Sequence, residues 1–211
     1  MDTSVKHMLE LSERLGEQLA SLFERHRQPD SQRALLTLAM CDVAMEQWTS
    51  QRILIHAGCH TSAMALIRLQ FEAAVRAIWL HEGASDEWLE RFSAPMEPGQ
   101  LSEPVLGPSV DAMLQTIKKT APAFVGLMLG ELKTASWQPM NSYVHGGIRP
   151  IVQTLAGATP YQLVSVLRNA NGLAMLVSNV FVLACRDSSL GGRIRQIQLA
   201  NPECLPPVSS T

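Results

Sequence analysis

Residues 63–81, AMALIRLQFEAAVRAIWLH, constrain the fold of this chain more than any other stretch. Met64, Ile67, Phe71, Ala74, Val75 and Ile78 spread apolar surface over most of a helical cylinder. A helix that is greasy nearly all round is normally enclosed by other helices. The polar exceptions are Arg68, Gln70, Glu72, Arg76 and the closing His81. Arg68, Glu72 and Arg76 recur every four residues, so on a helix they form one stripe. Charge carried into a bundle is costly unless it is paired and hydrogen-bonded. The spacing therefore predicts a polar partner facing the stripe. One glutamate cannot satisfy two guanidiniums, which leaves one arginine for an anion such as a phosphate. The plainer reading is an internal ion pair between Glu72 and Arg68 or Arg76 that latches the bundle.

The flanking sequence supplies helices to enclose this one. Residues 4–27 put Val5, Met8, Leu15, Leu19, Leu22 and Phe23 on one side, the pattern of an amphipathic helix. Pro29 stops it, and Asp30 is the expected N-cap of a second helix over 31–57. Gly58 ends or bends that helix. Thr61 or Ser62 is the expected cap of the central helix, and Gly83 its close. A short helix follows Ser85. Residues 94–108 hold four prolines and two glycines and predict a surface loop. Ser109 starts a helix to about 120, and Pro122 restarts one. Residues 136–150, SWQPMNSYVHGGIRP, are rich in turn formers and precede a short helix over 150–157. Thr159-Pro160 opens a long last helix. No segment alternates as a strand does, and no repeat has a fixed period. The expectation is an all-α, single-domain bundle over 1–192 with six to eight helices. Residues 193–211 are expected to form a disordered tail.

Composition excludes several classes. The 211 residues are 46% hydrophobic and 17% charged, which is globular. A net charge of −2 argues against a broad basic coat for nucleic acid, so any such contact is local. Cys41, Cys59, Cys185 and Cys204 lack metal-site or disulfide-framework spacing. With no signal peptide pattern at the N-terminus, they read as reduced thiols of a cytoplasmic protein. The longest uncharged apolar run, residues 172–185, falls short of the roughly 20 residues a bilayer needs, so no membrane partner is expected. His56, Cys59 and His60 are three metal-capable residues in five, but Gly58 breaks their register and no fourth ligand is near. No phosphate-binding glycine loop, zinc-protease or nucleophile-elbow pattern occurs.

The second candidate constellation lies in residues 141–147, NSYVHGG. Asn141 and His145 are four apart and share a helical face. The histidine can act as general acid or base near neutrality, and the glycines allow close backbone approach. Tyr143 is suited to donating a hydrogen bond to an oxyanion or to packing. A satisfied histidine in a turn is the ordinary alternative.

Taken together, SAMALIRLQFEAAVRAIWLHEGASDEWLERF and NSYVHGG resemble an uncharacterised group of bacterial helical proteins. In that group an R-x3-E-x3-R-x2-WL helix is paired with an N-S-Y-x-H turn. More distantly the pattern is similar to HEPN (higher eukaryotes and prokaryotes nucleotide-binding) domains. That resemblance implies a homodimeric helical bundle acting on RNA or a nucleotide. It further implies a metal-independent endoribonuclease of a toxin–antitoxin or phage-defence system, with no cofactor and with a cognate partner protein. The family's R-x4–6-H motif is absent ahead of His145. Arg76 to His81 matches it as a string, but residues five apart on a helix lie about 140° apart. On the resemblance, His145 with Arg76 and Arg68 would be catalytic, while Asn141, Tyr143 and Glu72 would bind substrate. The alternative is a non-catalytic bundle that binds a partner protein or small ligand.

Overall fold

The computed structural model describes residues 1–23, 29–94, 99 and 107–207. Nine α-helices, more than the six to eight expected, and one 3-10 turn, with no strand, occur among the described residues. They are α1 (Thr3–Phe23), α2 (Gln32–His56), α3 (His60–Glu82), α4 (Asp86–Ser93) and α5 (Val110–Thr120). α6 (Ala123–Val144), α7 (Ile148–Ala156), α8 (Pro160–Cys185) and α9 (Ser188–Ala200) follow, and Pro202–Cys204 form the 3-10 turn. Most of the expected Pro-rich loop falls outside the described residues.

As its apolar circumference predicts, α3 is the hub. It packs against α2, α8, α6 and α5. Phe71, Ala74, Val75 and Ala77 are fully buried on it. Each large aliphatic or aromatic side chain enclosed this way contributes about 1.5–3 kcal/mol. Buried residues of α1, α2, α3, α8 and their neighbours join in one core cluster. α8 is long and apolar enough to cross a bilayer by length and composition, yet 67% of its most apolar window is buried against the other helices.

Several local expectations give way to tertiary context. α2 is capped by Ser31, whose hydroxyl accepts from the Ala34 N–H; Asp30 instead pairs with Arg186 at 2.9 Å. α3 starts two or three residues earlier than Thr61 or Ser62 would place it, behind Cys59, because Gly58 turns the chain at φ 78°. Gly83, Ser109 and the Thr159–Gln162 capping box end or start their helices as predicted. The expected disordered tail from 193 is replaced by α9 and the 3-10 turn. Ile194 and Cys204 are buried, and the Cys204 carbonyl accepts from Asn171 at 2.9 Å. The stretch from 136 to 144 is not a turn: α6 runs through Pro139 to Val144. A proline removes one helical hydrogen bond, and packing of Met140 and Leu129 into the core offsets that loss.

A seam of neutral amides crosses the sealed centre. Gln51 donates to Gln70 at 2.9 Å, and Gln70 donates to the Ala170 carbonyl at 2.9 Å. Trp48 donates to Asn171 at 2.8 Å, and Asn171 donates to Ser12 at 2.9 Å. These bonds tie α1, α2, α3, α8 and the C-terminal turn to one register, because a slip would strand buried polar atoms.

Candidate functional site

Arg68 and Glu72 leave α3 on the side that faces α6. The carboxylate accepts from Arg68 Nε at 2.7 Å, an i,i+4 pair with side chains 17% and 32% exposed. Across the seam, Arg68 Nη1 donates to Asn141 Oδ1 and lies 3.0 Å from His145 Nε2. A guanidinium carries five N–H donors and no lone pair. A hydrogen bond between the two therefore requires His145 Nε2 to be the acceptor, an arrangement that assigns the ring proton to Nδ1. Arg68 thus commits three donors to Glu72, Asn141 and His145. Its two Nη2 donors have no bonded acceptor among the described residues. His145 itself is exposed.

The backbone explains why this histidine sits where it does. His145 is the C-cap of α6, and its N–H donates to the Asn141 carbonyl at 2.9 Å. Gly146 follows at φ 66°, a left-handed conformation that suits glycine. Gly147 is needed for a different reason: a Cβ there would lie 2.6 Å from Ser142 Oγ and 3.2 Å from Ser142 Cα. The Gly147 N–H donates to the Ser142 carbonyl at 2.7 Å, and Ser142 Oγ accepts from the Arg149 N–H at 3.1 Å. The two glycines reverse the chain within one turn and leave the imidazole over Arg68.

Two further residues belong to the seam and were not singled out in the sequence. The Arg68 guanidinium stacks 4.7 Å from the centroid of Trp137. Lys133 Nζ lies 4.9 Å from the same ring and pairs with Asp111 at 2.7 Å. Phe71 meets Trp137 edge-on at 6.3 Å, and such contacts hold an indole in one orientation. Lys133, Trp137, Asn141 and His145 are spaced by four, so they make one stripe along α6 and its cap. Counting back from His145 in fours would have found them; treating 136–150 as a turn interrupts that count.

The structure does not bring all the predicted residues together. Arg76 lies eight residues along α3 from Arg68, about 12 Å at 1.5 Å per residue. It is half-buried, its guanidinium 5.7 Å from the Phe92 ring and beside Gly107. Among the described residues it makes no hydrogen bond or ion pair, and none joins it to His81. Burial instead holds the His81 imidazole below its ordinary range. Tyr143 points toward α7, where its hydroxyl donates to Gln153 Oε1 at 2.6 Å. Burial pushes its phenol up. It pins a neighbouring helix and does not face Arg68.

Chemically, the seam offers a cation with two spare donors, an exposed imidazole whose Nε2 faces that cation, and an amide and a carboxylate that orient the cation. The profile of a family of unknown function, DUF6988, matches residues 41–207. That span begins inside α2 and includes the whole seam. Neither a curated protein nor a solved structure matches the chain.

Proposed function

This chain belongs to the DUF6988 family, and from the seam between its α3 and α6 we propose a metal-independent acid–base site acting on RNA or a nucleotide. The observation that carries this reading is the 3.0 Å approach of Arg68 Nη1 to His145 Nε2, with Nη2 left over for an anion. A phosphate placed on Nη2 lies against a guanidinium whose plane is already set by Glu72, Asn141 and Trp137. The same phosphate draws the guanidinium charge toward itself and frees the Nε2 lone pair. His145 then takes the proton of a ribose 2′-hydroxyl as its oxygen bonds phosphorus and the P–O5′ bond breaks. The departing oxygen takes its proton from water, and the hydroxide left behind takes back the proton held on His145, which restores the imidazole. The products are a 2′,3′-cyclic phosphate and a free 5′-hydroxyl. Arg68 supplies positive charge to the phosphorane. The same substrate class and a defence role rest on the distant resemblance to HEPN domains alone, whose R-x4–6-H motif this chain lacks ahead of His145.

The deciding test is incubation of purified protein with total cellular RNA in EDTA. Wild type is expected to give discrete fragments with cyclic-phosphate ends, and His145→Ala to lose them by about 10²- to 10⁴-fold. Identical banding from the two proteins would sink the catalytic reading. One observation favours a second reading, in which the bundle binds a partner without chemistry: three of the five Arg68 donors are already used internally. On that reading His145→Ala changes partner affinity and no RNA fragment appears with either protein.

A further inference from the structure

α7 is amphipathic, but it faces the wrong way. Ile148, Ile151, Val152 and Leu155 follow the i, i+3, i+4, i+7 pattern of a core-facing stripe. They are 67%, 53%, 53% and 83% exposed. The buried residue of the helix is Gln153, tethered by Tyr143, while Ser142 fixes the start of the helix through the Arg149 N–H. Polar bonds thus hold the inner face and the apolar face looks outward. Val144 and Tyr161, on the two flanking segments, are exposed as well.

We propose that this stripe is the surface on which a second copy of the chain docks, α7 against α7. Charge selects the occupant. From His145 to Gln162 the only charged residue is Arg149. An anionic lipid surface is drawn by several basic residues flanking an apolar face, and this face has one. A strongly charged protein partner would find nothing to pair with here. A copy of the same face is apolar along the stripe and brings a single charge, Arg149, at its edge, so two copies meet as self-complementary apolar surfaces, as a two-fold interface requires. The stripe leaves apolar area on the order of 500 Å² open, at the upper end of what single chains expose. Two such faces with the flanking Val144 and Tyr161 reach the roughly 1,200 Å² at which specific pairs begin. The surface is independent of the chemistry proposed at Arg68, so a pairing chain without nuclease activity, or an active single chain, would separate the two.

Sedimentation equilibrium of the full chain across the micromolar range tests it. Wild type is expected to be a dimer. Leu155→Glu and Ile151→Glu are expected to be monomers with unchanged circular dichroism, since both positions already face solvent. Leu199→Glu, at a 70% exposed position on α9 away from the stripe, is the control and keeps the dimer. A monomeric wild type, or a dimer that survives Leu155→Glu, overturns the proposal. Flotation of a monomeric wild type with phosphatidylglycerol vesicles, lost in Leu155→Glu, would overturn it in favour of a lipid surface.

Discussion

Gln70 and Arg68 are two residues apart on α3 and serve two different seams. Gln70 points into the sealed centre, where its neighbours are Gln51 and the Ala170 carbonyl and no water reaches. Arg68 points to the edge, where its neighbours are Glu72, Asn141 and an exposed histidine. The sealed seam is neutral and spends almost every donor on a fixed acceptor. The open seam is charged and keeps donors in reserve. Desolvation explains the division. An amide can be buried for the cost of making its hydrogen bonds, whereas a guanidinium needs water or an anion within reach. The first seam sets the register of the helices, and the second leaves Arg68 Nη2 without a bonded acceptor among the described residues.

Substitutions sharpen that contrast. Asn171→Leu, in the sealed seam, should cost most in stability. It leaves the Trp48 Nε1–H and the Cys204 carbonyl unpartnered, for about 3–5 kcal/mol in urea unfolding. A loss below 1 kcal/mol would mean that the amides do not fix the register. Arg68→Ala, in the open seam, should reverse the pattern. RNA cleavage is expected to fall about 10²- to 10³-fold, while stability drops by only about 1 kcal/mol because the pair is partly exposed. Should unfolding midpoints fall as far as in Asn171→Leu, the Arg68 cluster is a latch. Arg76→Ala, on the same stripe but outside the seam, should leave cleavage unchanged and cost about 0.5–1 kcal/mol of contact with Phe92.

An effect of similar size belongs to Tyr143. Tyr143→Phe removes the bond to Gln153 for about 1 kcal/mol. Its pH dependence carries a sign. The folded-state phenol lies above its ordinary value of 10.0, so its contribution to stability is intact below about pH 10 and is lost as pH rises through the folded value. The deficit of Tyr143→Phe relative to wild type should therefore shrink in alkali. Chemical unfolding of both proteins at pH 8 and above pH 10 measures it, and a deficit that grows would contradict the buried phenol.

The helical architecture and its hub were legible in the residues of 63–81, because apolar periodicity is a local property that burial must follow. Asn141 and His145 were legible as a pair from their spacing. Trp137 and Lys133 share that spacing, but Pro139 and the surrounding turn formers hid a helix that only packing against α3 sustains. The division between Arg68 and Arg76 was not legible. Both lie on one stripe with one glutamate between them, and nothing local distinguishes them. The order of the tail was hidden too, since Gly191 and Gly192 read as a break while the acceptor for Asn171 comes from Cys204, 33 residues away. Sequence alone determined which faces of each helix are apolar and which residues carry charge. Tertiary structure decided which charges meet and which apolar face stays bare, because those depend on what lies across the seam, and such neighbours are distant in the chain.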